Sequence, residues 1–159
     1  GILDGLKSLG IPAKMTAADR TAGRKLTSAA CFDAPSWYEI TVQGKKVVGS
    51  AQTRQRGTIL QHGSIVLRLD ADRLVSALKF KSEGARDAMK RMLLKKAGGI
   101  NEFGTGRIPL GDLKEAVLNG FERCLGVEFI EERLSDAEKE KAQILAASKY
   151  GTDGWNFGK

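Results

Sequence analysis

The chain has 159 residues, 42% hydrophobic and 28% charged, the balance of one soluble globular domain able to bury a core without disulfide or metal staples. No apolar run approaches the roughly 20 residues of a membrane helix, and Cys31 and Cys124 stand too far apart to form a disulfide framework or a zinc pattern. Free thiols in a reducing, cytoplasmic setting are therefore expected, and a formal net charge of +7 favours an acidic partner.

The sequence opens on Gly1 with a helical stripe of Ile2, Leu3, Leu6 and Leu9 already under way, so it reads as a chain entered mid-domain. That stripe predicts an amphipathic helix over 2–9, stopped by Gly10 and Pro12. Residues 13–30 are small and polar without a firm period and are expected to be a loop. Aromatic and β-branched residues predict a strand over 37–42, a turn at Gln43-Gly44, and a returning strand over 46–51. A short strand is expected at 58–60. The alternation of Ile65, Leu67 and Leu69 about Val66 makes 65–69 the strongest strand signal.

After Asp70 the period becomes helical. Helices are predicted over 72–78, 83–95 and 112–125, the last closed by Gly126. Turns are expected at Gly98-Gly99 and 103–107, and a further strand at 127–130. Ser135 and Glu138 form a capping-box pattern opening a helix to about 148, and Trp155 and Phe157 read as anchors of the turn-rich tail. Strands clustered first and helices afterwards argue an α+β fold, with a mixed or antiparallel sheet flanked by helices. The expected organisation is one domain over 1–159, with strands mainly in 37–69 and a helical part over 70–159.

Charge is unevenly spread. Arg86, Lys90, Arg91, Lys95 and Lys96 face one acid, Asp87, whereas the stretch from Glu128 to Glu140 is acid-rich. A solvated helix face explains such a run, and so does an acidic protein partner. Nucleic acid is not the expected partner, because no aromatic residues interleave the basic cluster.

The residues able to carry chemistry concentrate between Cys31 and Ser64. Cys31 precedes a strand near a turn, where a thiol can face a cleft; it also fits a small buried hydrophobe. At an ordinary pKa of about 8.5 only ~3% of a thiol is thiolate at neutral pH, so a nucleophilic Cys31 needs a nearby cation. Lys45 and Lys46 are adjacent strand residues, and at most one can face that cleft; solvated lysines are the other reading. Gly49-Ser50-Ala51 and His62-Gly63 offer close backbone approach to a ligand, or a bulge. His62 fits a base, a substrate contact or a structural histidine. Cys124 falls on the apolar stripe of its helix and reads as structural.

Three ordered segments, CFDAPSWYE at 31–39, GKKVVGSAQTRQRG at 44–57 and LQHGSIVLRLD at 60–70, resemble the biotin/lipoate ligase and octanoyltransferase superfamily. GFERCLGVEF and KYGTDGWN extend the likeness to the C-terminus. Within the superfamily the chain is most similar to the cysteine-dependent octanoyltransferases of Gram-positive bacteria. That resemblance implies a biotin/lipoate-ligase-like fold and an acyltransferase acting in protein lipoylation without a cofactor. Cys31 would carry octanoate as a thioester, taken from acyl carrier protein, and pass it to a lysine of the glycine-cleavage H protein. Lys46 would lower the Cys31 pKa, with Gly49, Ser50, Ala51, His62 and Gly63 binding substrate. No nucleic acid, membrane or second copy is implied.

The family's upstream Arg-Arg-x-Thr-Gly-Gly motif is absent, and Gly98-Gly99 lacks the paired arginines. The chain therefore reads as the C-terminal part of such an enzyme, incomplete at its N-terminus. An ATP-dependent lipoate ligase and a non-catalytic carrier-protein-binding fragment are the alternatives.

Overall fold

The computed structural model describes residues 1–17, 38–104 and 106–158. These form two compact units, Gly1–Val127 and Glu128–Lys159. The first unit is α+β. Its sheet has four antiparallel strands in sequential order: β1 (Lys14–Ala17), β2 (Tyr38–Val42), β3 (Lys45–Gln55) and β4 (Thr58–Ile65). Both hairpin turns put two successive residues at positive φ, Gln43 at 50° and Gly44 at 80°, then Arg56 at 50° and Gly57 at 77°. This is the two-residue geometry whose twist matches antiparallel strands.

Helices α1 (Ile2–Ser8) and α4 (Leu110–Leu125) pack together and cover the sheet. Leu6 and Leu113 from these helices meet Val42, Val47 and Val48 of the strands, with Ile11 and Ile100 completing a buried core. Burying each such side chain contributes about 1.5–3 kcal/mol. An Asp4–Arg123 ion pair of 2.7 Å ties the two helices at the surface. A smaller cluster, centred on Val75 and Leu93, joins α2 (Ala71–Ser76) to α3 (Glu83–Lys96). Asp70 and Ser82 cap these two helices by accepting the amides of Arg73 and Ala85. A 3₁₀ turn, Ile100–Glu102, follows α3.

In the second unit, Ser135 and Glu138 make the expected capping box at the start of α5 (Asp136–Leu145). The helix runs on into a π turn, Ala146–Tyr150, and α6 (Asp153–Asn156) closes the unit. Among the described residues no helix is long and apolar enough to cross a membrane.

Several expectations are corrected. Part of the expected 13–30 loop is strand, because Lys14–Ala17 pairs with Tyr38–Val42; residues 18–30 and Trp37 lie outside the described residues. The second hairpin is far longer than 46–51 and 58–60 suggested, since β3 and β4 pair continuously from Val48↔Ile65 to Gln55↔Thr58. The strongest predicted strand, 65–69, contributes only Ile65 to the ladder. Val66 still donates to the Val47 carbonyl, and Ile65 and Leu67 still pack on the core. The alternation thus reported burial and not a strand. Residues 127–130 are not a strand. Trp155 and Phe157 do not anchor the tail: both are exposed, Phe157 at 81%, with Trp155 edge-on to Tyr150. Cys124 is exposed, not buried on its helix.

Candidate functional site

The site is organised by an irregularity in the pairing of β2 with β3. The Gln43-Gly44 turn sets Val42 opposite Lys45 and Thr41 opposite Lys46, but the next pair is Ile40 with Val48. Val47 is therefore an extra residue, a β-bulge. Directly opposed residues of an antiparallel pair share a face. Ile40, Val42 and Val48 consequently lie on the core face, and Thr41 and Lys46 on the other. Without the bulge Val48 would fall on the face of Lys46; with it, the valines and the lysine are sorted to opposite sides.

Lys46 is nonetheless only 5% exposed. Its Nζ donates to Oε1 of Glu39 at 2.9 Å. Glu39 alternates with Ile40 and so shares the polar face with Thr41, whose hydroxyl is hydrogen-bonded to that of Thr16 at 2.9 Å. The lysine's main chain is fixed from the opposite edge of the strand. Gly98 N–H donates to the Lys46 carbonyl at 3.1 Å, Val66 N–H donates to the Val47 carbonyl at 3.0 Å, and Ala97 bridges Lys46 in parallel. Gly98-Gly99, read from sequence as a turn, thus supports the lysine strand. A buried ammonium is tolerable only with a counter-charge, and Glu39 supplies one. Lys45, on the other face, is half-buried.

The remaining predicted residues fall on the outer part of the β3–β4 hairpin. Gly49 opposes Ser64, Ser50 opposes Gly63, and Ala51 opposes His62. By the same alternation Gly49, Ala51 and His62 share the face of Lys46, whereas Ser50 and Gly63 lie on the other. Gly63 has no room for a side chain: a Cβ there would meet the Gly49 carbonyl oxygen and, at 3.0 Å, Ser50 Cβ. His62 is exposed. Cys31 lies outside the described residues. Glu39 was missed in the sequence as a functional residue, yet a signal was present. The two-residue turn fixes Thr41 opposite Lys46, and Glu39 is the next residue on that face.

Among the described residues no three His, Cys, Asp or Glu side chains converge on a metal position. An open cleft of about 170 Å³ is lined by Leu9, Arg107, Ile108, Pro109 and Asp112 with two glycines. It contains none of the candidate residues, and its lining brings no nucleophile.

The chain belongs to the lipoyl protein ligase A/B catalytic domain family, whose model matches residues 1–122. Over its whole length it is 44% identical to octanoyltransferase LipM of Halalkalibacterium halodurans, of which it covers 59%. It is 42% identical to octanoyltransferase LipM of Bacillus subtilis, with 99% of this chain and 58% of that one aligned. The chain thus spans less than two thirds of the relatives it matches. In fold it resembles a chain from a bi-partite lipoate protein ligase system of Thermoplasma acidophilum, at a TM-score of 0.77 and 22% identity over 99% of this chain and 54% of that one. A lipoate-protein ligase A bound with ATP gives a TM-score of 0.70 at 22% identity, with 99% and 55% covered.

Proposed function

We propose that the chain carries the acyl-transfer residues of an octanoyltransferase that works through a cysteine thioester. The observation that carries the reading is the buried, ion-paired Lys46, placed directly before Val47-Val48-Gly49-Ser50-Ala51 in a chain 44% identical to octanoyltransferases LipM. Cys31 is the nucleophile. Lys46, as a nearby cation, favours the thiolate form of Cys31. The thiolate attacks the thioester carbonyl of octanoyl-acyl carrier protein, and the carrier's own thiolate leaves. A lysine amine of the glycine-cleavage H protein then attacks the Cys31 thioester and loses a proton, and Cys31 departs as thiolate. Each step passes through a tetrahedral oxyanion that the Lys46 ammonium stabilises. The acyl group stays activated throughout, so no ATP is needed.

Gly49, Ala51 and His62 border the acyl site on the lysine face, and Ser50 and Gly63 shape the hairpin from behind. The basic face of α3 receives the acidic carrier protein. The enzyme works as a monomer in the cytoplasm, with residues 1–159 forming part of one catalytic domain.

Incubating the full-length protein with octanoyl-acyl carrier protein and weighing it intact tests the reading. An octanoyl adduct is expected in wild type and Cys124→Ala and is expected to vanish in Cys31→Ala. An adduct that survives Cys31→Ala overturns it. A requirement for ATP with Cys31 dispensable would instead establish a lipoate ligase, and carrier binding without any adduct a non-catalytic module.

A further inference from the structure

Resting on the reading of Cys31 and Lys46 above, we propose that Glu39 is a positioning residue for the acyl-transfer step, holding Lys46 aimed through the ion pair between them. Three observations converge. The pair is short, with 2.9 Å between Nζ and Oε1, and its side chains are only 6% and 21% exposed for Lys46 and Glu39. The Gln43-Gly44 turn, by setting Thr41 opposite Lys46, puts both on one face of the sheet. The lysine backbone is clamped by Gly98 and by the bridge to Ala97, which fixes the base from which its side chain reaches Glu39.

A lysine ammonium carries three donors in a tetrahedral array. Anchoring one on a carboxylate of fixed position restricts the other two to a cone, and a rigid donor stabilises developing charge better than a mobile one. Other titratable groups share these surroundings: Lys14 opposes Thr41 on the same face, His62 lies farther along that face through its pairing with Ala51, and Lys96 immediately precedes the bridging Ala97. Glu39 is the acid whose carboxylate accepts from Nζ at 2.9 Å, which singles it out.

The test measures the pH dependence of Cys31 alkylation by iodoacetamide in the full-length protein, read by mass at Cys31, beside the octanoyl-transfer rate. Glu39→Gln is expected to move the alkylation midpoint upward by about one pH unit and to slow transfer roughly tenfold below it. Glu39→Asp, which keeps the charge, is expected to fall between the two. In a Lys46→Met background Glu39→Gln is expected to add nothing, since Glu39 acts through the lysine. A folded Glu39→Gln with the wild-type midpoint, a downward shift, or a full second effect in the Lys46→Met background overturns the proposal. If Glu39→Gln fails to fold, Glu39→Asp and the Lys46→Met pair decide it. The alkylation profile is read whether or not an octanoyl adduct forms. A missing adduct in wild type therefore defeats the reading of function, and an unmoved profile defeats the role of Glu39.

Discussion

Lys46 and Lys45 are neighbours of one type, yet the structure treats them differently. Lys46 is buried against Glu39 with its carbonyl taken by Gly98, and Lys45 stays half-exposed beside the turn. Truncating one partner of a buried pair strands the other's charge, so Lys46→Ala is expected to cost about 3 kcal/mol of unfolding free energy. Lys45→Ala is expected to stay within about 0.5 kcal/mol. Urea unfolding of both variants checks the contrast, and equal losses would mean the buried pair has no special weight. The motif made Lys46 legible in the sequence. Its partner was not, because a glutamate near the start of a strand gives no functional signal until the turn register is drawn across to the lysine.

At the scale of elements, the start of α5 makes a titration prediction. Glu138 is held below its ordinary value of 4.5 by the Ser135 hydroxyl and then by the Ser135 backbone amide. A carboxylate whose pKa is lowered on folding stabilises the folded form above its unfolded pKa, and that contribution is lost as pH falls through the folded value. The α5 cap should therefore hold at neutral pH and weaken only below 4.5. Following the Glu138 carboxyl by NMR should show Ser135→Ala raising its midpoint toward 4.5; an unchanged midpoint would refute the capping contribution. Helix α3 makes a kinetic prediction. Arg91 and Lys95 are exposed on it, so reversing both to Glu in the full-length enzyme should raise KM for octanoyl-acyl carrier protein about tenfold at low salt. The effect should shrink as salt is added, with kcat little changed. A KM that does not move would place the carrier elsewhere. These helices were readable because caps and periodicity act locally. The β3–β4 hairpin was not, since nearly every residue from Ser50 to Ser64 is exposed and no buried face imprints an alternation on the sequence.

For the molecule as a whole, the family match over residues 1–122 falls inside the compact unit Gly1–Val127, and the α+β class followed from the order of strand and helix signals. What the pattern could not supply was the bulge, because it depends on a cross-strand count and leaves no local mark. The β3–β4 ribbon carries a last consequence. Beyond Ser50 it meets water on both faces, and Gln52, Gln61, Thr53 and Thr58 give its two sides nearly the same character. A strand normally knows its register because slipping by one residue would turn apolar groups outward. Within this exposed stretch a slip has no such cost, so the alignment of His62 with Ala51 is set at the two ends of the ribbon, by Val48 and Ile65 on the core at one and by the Arg56-Gly57 turn at the other. That two-residue loop thus acts as a ruler for a histidine five residues away, and a change in its length would set the turn against the core over which face His62 presents.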